Sequence, residues 1–205
     1  MNLIEELKNY CDINNPVGAL MLSGEWGCGK TYLIKTKFIP SVKDTYVFVC
    51  ISLFGIDSLD KLRVEVKKKW LEKASEFDSL NGTKVSRVAD SCRRIFDTIK
   101  DRLPENWQKK GEVVSSIMDL INFMPISNRM FEKKVILVFD DLERTNISCT
   151  DLLGCINDYC ENQGFNTIIV ANEEKIKDMI LTDADTESFQ QELFEAIYSV
   201  TGQKA

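Results

Sequence analysis

Gly24-Glu25-Trp26-Gly27-Cys28-Gly29-Lys30-Thr31 satisfies the pattern G-x-x-x-x-G-K-[ST] at every fixed position. Each fixed residue has a chemical reason. Glycines permit positive φ, so successive backbone N–H groups can turn inward and cradle phosphate oxygens. A lysine that opens the following helix brings its ammonium to the β- and γ-phosphates, where the helix dipole adds favourable charge. The Thr31 hydroxyl is suited to ligate Mg²⁺. With glycine usage near ~7%, chance supplies this pattern in such a chain on the order of one time in a hundred. The flanks agree with the motif. Ala19-Leu20-Met21-Leu22 is an apolar run of the kind buried on both faces of a parallel sheet. Lys30–Phe38 then reads as a helix that Pro40 ends.

Further out, elements of both kinds alternate. Leu3, Ile4 and Leu7 share one face of a short helix over 3–10, broken by Asn14-Asn15-Pro16. Thr45–Phe54 is β-branched and aromatic enough to be a strand. From Ser58 to about Phe77 the pattern is helical, with Leu59, Leu62, Val66 and Trp70 on one face. Asn81-Gly82 interrupts it, and further helices are expected over Lys84–Arg102 and Val113–Met124. The strand signal returns at Lys134–Phe139 and again at Thr167–Ala171, separated by a helix from about Ser148 to Glu161 that Gly164 closes. Helices are expected in the remainder. The reading is an α/β fold: a doubly wound, mainly parallel sheet of the P-loop NTPase kind, carrying a helical insertion. Residues 1–57 and 131–205 form the two parts of the core, and 58–130 the insertion.

Two further features belong with the glycine-rich turn. Val135-Ile136-Leu137-Val138-Phe139 runs into Asp140-Asp141, an apolar strand ending in adjacent carboxylates. Asp140 is expected to hold Mg²⁺ through water, and Asp141 to orient or deprotonate an attacking water. The plainer alternative for Asp141 is an N-cap of the following turn. Asn172 ends the next strand; if the two strands are neighbours, it reaches the crevice at their carboxyl ends, to position water or read the γ-phosphate. A loop asparagine also occurs without any such role. Lys30 completes the expected catalytic set of Lys30, Asp141 and Asn172, and Thr31 and Asp140 are the expected metal ligands.

Composition removes several classes of chemistry. The 205 residues contain no histidine, which excludes Ser-His-Asp triads, Cys-His dyads and His-bearing metal sites. Hydrophobic residues at 44% and charged residues at 28% are ordinary for a globular chain. Lys and Arg number 26 against 32 Asp and Glu, a net charge of −6, which argues against a general nucleic-acid or anionic-membrane coat. Lys67-Lys68-Lys69 and Arg93-Arg94 lie among acids on expected helices and read as solvated faces. Seven cysteines without a CxxC pair, and no apolar N-terminal leader, read as reduced thiols in the cytoplasm. The apolar stretch 113–126 is shorter than the ~20 residues a membrane helix needs and carries Asp119. No N-K-x-D guanine reader is present, so ATP is favoured over GTP. An arginine-rich lid of the small-molecule kinase type is not evident either.

The combination of GEWGCGKT (24–31), ISLFGI (51–56), VILVFDDLER (135–144) and IIVANEEKI (168–176) resembles the KAP family of P-loop NTPases, relatives of the STAND and AAA ATPases. Trp26 within the loop and the DDLER run are its specific features. The resemblance implies nucleotide phosphates on Gly24, Glu25, Trp26, Gly27, Cys28, Gly29, Lys30 and Thr31, magnesium at Asp140, and the catalytic carboxylate at Asp141. Glu143 and Arg144 match as well. Arg144 is either a structural partner of the acids or a residue that reports nucleotide state. Family members often occur in membrane-associated or antiviral-defence proteins, and usually continue into a helical lid that brings basic residues to the γ-phosphate. That lid is expected to be missing here, since residues 173–205 offer only Lys175, Lys177 and Lys204 as cations. The functional expectation is an ATP- and Mg²⁺-binding module whose hydrolysis drives a conformational or assembly switch. It should be slow alone and faster when self-association or a larger protein supplies an arginine. The alternative is a signalling or assembly module that binds ATP with little or no hydrolysis.

Overall fold

The computed structural model describes residues 2–81, 126–172, 175–176 and 198–201. The chain divides into two compact units, Met1–Leu62 with Ser127–Ala205, and Arg63–Ile126. The first unit holds a sheet of six described strands: β1 (Leu20–Ser23), β2 (Tyr46–Ser52), β3 (Arg129–Met130), β4 (Lys133–Asp140), β5 (Asn166–Ala171) and β6 (Tyr198–Thr201). Their order is β2-β4-β5-β1-β6, all parallel, with the short β3 antiparallel to β4. Parallel neighbours need crossovers, and among the described residues helices follow β1, β2 and β4. α1 is Leu3–Asp12. α2 is one helical stretch made of Lys30–Tyr32, the π-helical Leu33–Phe38 and Ile39–Val42. α3 is Leu59–Asn81, and α4 is Cys149–Glu161. The expected α/β class, doubly wound on a mainly parallel sheet, is the architecture observed.

The period of two along each strand sorts side chains onto two faces. One face carries Leu20, Leu22, Phe48, Ile136, Val138, Ile168 and Val170, packed with Leu7 and Cys11 of α1 and Ile34, Phe38 and Val42 of α2. Phe38 meets Phe48 edge-on, ring centroids 5.6 Å apart. The opposite face includes Phe139, whose ring lies 6.3 Å from Tyr159 of α4; Tyr159 in turn packs edge-on against Phe165. Ser148 starts α4 by accepting the Asp151 N–H at 3.1 Å, a side-chain N-cap. The C-terminal end of α1 is fastened to the amino ends of the strands. Lys134 donates to the Cys11 and Ile13 carbonyls at 2.9 and 2.7 Å. The buried Asn166 donates to the Tyr10 and Ile13 carbonyls at 2.8 and 3.0 Å.

Several boundaries differ from the sequence reading. Helix α2 does not stop before Pro40 but continues to Val42. Proline lacks an N–H and crowds the carbonyl four residues back. The preceding turn is π-helical, with the Ile39 N–H bonded to the Ile34 carbonyl, and this wider turn accommodates the ring. β2 ends at Ser52, and Phe54 leaves the sheet with 68% of its surface exposed. A strand, β6, stands at Tyr198–Thr201 where helices were expected. Its parallel pairing with β1 supplies the partner that a four-residue segment needs. Along α3, Leu62 and Val66 are buried as their spacing suggested. Lys68 and Lys69 pair with Glu65 and Glu72 of the same helix at 3.3 and 2.8 Å. The helices expected at 84–102 and 113–124, together with Cys92, Arg93 and Arg94, lie outside the described residues.

Candidate nucleotide-binding site

Strand β1 delivers the chain into the glycine-rich loop, where backbone conformation demands glycine at two positions. Gly27 and Gly29 have φ of 76° and 91°, a region that strains residues with a Cβ. At Gly24 a Cβ would meet the Cys28 Sγ at 2.9 Å, so a larger residue there would displace that exposed side chain. Gly29 also begins α2, its carbonyl accepting the Leu33 N–H at 2.8 Å. The Lys30 ammonium lies back along the loop, donating to the Gly24 and Glu25 carbonyls at 2.6 and 2.9 Å, with the Cys28 Sγ 3.9 Å away. Backbone carbonyls thus hold the cation at the loop.

The end of β4 faces this loop for a reason of register. Asp140 has the parity of Ile136 and Val138, so it points to the α2 side of the sheet. There the Thr31 hydroxyl donates to Asp140 Oδ1 at 3.0 Å, and the Lys35 ammonium lies 3.5 Å from Oδ2. Asp140 is only 8% exposed, a buried carboxylate with three donors once the Asp141 N–H at 3.1 Å is counted. Asp141 leaves the strand in the left-handed region, φ 60° and ψ 41°. This backbone turns its side chain away from Asp140. Ser52, which ends β2, donates to Asp141 Oδ2 at 3.2 Å, and Arg144 Nε lies 3.3 Å from Oδ1. Asp141 does occupy the N-cap position of the 3-10 turn Leu142–Arg144, but its side chain makes no capping bond.

A cleft of about 380 Å³ opens between these elements. The loop and α2 contribute Trp26, Gly27, Gly29, Lys30, Thr31 and Tyr32; the β4 end contributes Asp140, Asp141, Glu143 and Arg144. Gly24, Glu25 and Cys28 shape the loop without lining the cleft. Asn172 follows β5, which is the direct neighbour of β4. Its N–H donates to Glu143 Oε2 at 3.4 Å, and its side-chain oxygen accepts the Lys175 N–H at 3.5 Å. It too stands outside the cleft lining. The sequence reading had no role for Ser52, Lys35, Tyr32 or Glu143. Ser52 is found through register, since β2 and β4 place it beside Asp140. Glu143 accepts the Trp26 indole N–H at 2.7 Å, a contact between residues 117 apart that no local pattern signals.

Hard oxygen donors at Thr31 and Asp140 beside a phosphate cradle suit Mg²⁺, which takes one or two protein oxygens and completes its shell with phosphates and water. Among the described residues no cluster of three or more acidic or cysteine side chains forms a self-sufficient metal cage. The described residues also include no helix long and apolar enough to cross a membrane.

A parallel sheet with a glycine-rich phosphate loop between strand and helix, and a strand-end carboxylate bonded to the loop's threonine, defines a nucleotide-binding P-loop NTPase module. The family model described as KAP family P-loop domain matches residues 2–201, and the chain belongs to that family. No curated protein matches the chain.

Proposed function

We propose that this module binds ATP with Mg²⁺ and hydrolyses it slowly, using the nucleotide cycle to switch a conformation or an assembly. The observation that carries the reading is the 3.0 Å bond from Thr31 to Asp140. It brings together the two side chains that would hold a magnesium ion beside the nucleotide. When bound, that ion neutralises charge on the phosphate oxygens. Lys30 binds the β- and γ-phosphates, exchanging loop carbonyls for phosphate oxygens. Gly24 to Thr31 supply the phosphate cradle. Asp141 accepts a hydrogen bond from the attacking water and orients it, while Asn172 sets the position of the turn beside it. The missing N-K-x-D motif supports adenine over guanine. Slow turnover follows from the cations at hand: among the described residues Lys30 and Arg144 are those in the cleft lining, and Arg144 is paired with Asp141. An arginine offered by a second copy or by a larger protein would accelerate the reaction. The cytoplasm is the compartment this reading favours, in keeping with described cysteines that are not joined by disulfides. The core at 1–57 and 131–205 would perform this chemistry, with 58–130 as its insertion and antiviral defence as a setting in keeping with the family.

The test is phosphate release from the pure chain and from Asp141→Asn, with ATP affinity measured by calorimetry on both. Intact binding with turnover at least tenfold slower in the variant is expected. Loss of ATP binding in Asp141→Asn would make the residue structural. Equal turnover in the two proteins would remove it from the reaction.

A further inference from the structure

Arg144 occupies an unusual place for a surface arginine. Its guanidinium carbon lies 5.0 Å from the ring centroid of Trp26 and 5.8 Å from that of Phe54. Both rings are largely solvent-exposed, at 61% and 68%. They come from different segments, Trp26 from the phosphate loop and Phe54 from the chain leaving β2. Exposed aromatic rings gain little from burial here; what they do gain is a cation over their faces. The same guanidinium reaches Asp141 Oδ1 at 3.3 Å, and Asp141's other oxygen is held by Ser52, two residues before Phe54. Trp26 is itself fixed by its indole N–H on Glu143, the residue preceding Arg144. One side chain therefore touches the phosphate loop, the β2 exit and the carboxylate turn.

We propose that Arg144 is a positioning residue for Asp141, set in place by Trp26 and Phe54 so that the geometry of the phosphate loop is transmitted to the carboxylate that orients water. This rests on the role given to Asp141 above. Arginine is the residue for such a task. Its planar guanidinium faces an aromatic ring and donates in its own plane to a carboxylate, whereas lysine carries its charge at a point. Phe54 does not line the cleft; its ring meets Arg144, while its N–H, which Phe54→Ala keeps, reaches the Ser52 hydroxyl at 3.4 Å. That separation makes it the informative position.

The experiment compares wild type with Phe54→Ala, Arg144→Gln and Arg144→Lys, reading single-turnover ATP hydrolysis, ATP affinity by calorimetry and thermal midpoint. Phe54→Ala should slow turnover roughly two- to fivefold, the scale of one exposed cation–π contact, with ATP affinity unchanged within about twofold. Arg144→Gln should slow it about tenfold or more, again with affinity retained, and Arg144→Lys should recover part of the rate. Wild-type turnover in Phe54→Ala, or parallel loss of affinity and rate in Arg144→Gln, would overturn the proposal. A second readout is independent of hydrolysis. With Trp70 and Trp107 replaced by Phe, the emission of Trp26 should shift on Arg144→Gln and, to a smaller extent, on Phe54→Ala. Unshifted emission would overturn the stacked arrangement. Bound ATP without hydrolysis by wild type would instead overturn the reading of Asp141 on which the proposal depends.

Discussion

Replacing Thr31 with valine keeps the shape of the side chain and removes one hydroxyl, and its cost follows from the surroundings of Asp140. The Thr31 hydroxyl donates to Asp140 Oδ1 at 3.0 Å, and a hydrogen bond to a charged acceptor contributes about 1.5–3 kcal/mol. The lower end applies here. Asp140 keeps the Asp141 N–H at 3.1 Å and the Lys35 ammonium at 3.5 Å, so the buried carboxylate is not left without donors. The Lys35 side chain is 52% exposed, and its ion pair is screened by water, so it compensates only in part. Thr31→Val should therefore cost about 1.5 kcal/mol, or roughly 3–6 °C in Tm for a chain of this size. Urea unfolding of the nucleotide-free protein measures it, within a cycle of Thr31→Val, Asp140→Ala and the double variant. A coupling of about 1 kcal/mol is expected between the two sites. Effects that add within ~0.5 kcal/mol would show that the two side chains do not meet. The same variant should also flatten the magnesium dependence of ATP binding. If its magnesium titration overlays that of wild type, the hydroxyl is not a metal ligand.

Lys30→Ala removes the cation held at the loop and should weaken ATP binding at least tenfold, about 1.4 kcal/mol; equal affinity by calorimetry would contradict the site. Asn166→Ala deletes the two hydrogen bonds that this fully buried side chain makes to the end of α1, at 2.8 and 3.0 Å. It should cost about 2 kcal/mol in urea unfolding, and a change below ~0.5 kcal/mol would mean that Lys134 alone secures the helix. Buried thiols contribute to alkaline stability beside Tyr10 and Tyr46, whose phenols burial also pushes up. Burial, with Asp12 adding repulsion, pushes Cys11 from 9.0 up to about 12, and burial pushes Cys160 up to about 11. Both are protonated in either state below pH 9, where their full contribution is present. As pH rises through that value the unfolded chain releases its protons first, so stability falls progressively toward the folded-state values of about 11 and 12. In reducing buffer, Tm should decline over this window, and Cys11→Ala should make the decline shallower; an identical slope in the variant would refute the assignment.

What the amino-acid order determines alone is local or periodic. The eight residues 24–31 specify a phosphate loop because positive φ at 27 and 29 demands glycine and the helix-opening position takes a lysine. The apolar runs at 20–22, 135–139 and 168–171 specify buried parallel strands because both of their faces are covered. Strand parity, once the strands exist, already assigns Asp140 to the face of Ile136. Its meeting with Thr31 was legible from motif and period together.

Other features depend on which elements become neighbours. Pro40 looks like a helix terminator, yet the π-turn ahead of it lets α2 continue, because Phe38 and Val42 both gain burial against the sheet. Tyr198–Thr201 is too short to announce itself as a strand and is one because β1 leaves an edge to pair with. The set of Trp26, Ser52, Phe54, Glu143 and Arg144 joins three loops that are distant in sequence. Their contacts arise from the strand order β2-β4-β5-β1, which brings the carboxyl ends of those strands to one rim. Sequence motifs name the groups that touch phosphate, since the chemistry of phosphate restricts them to few residue types. The groups bonded to Asp141 are constrained by distance across the rim, and only the packed sheet sets those distances.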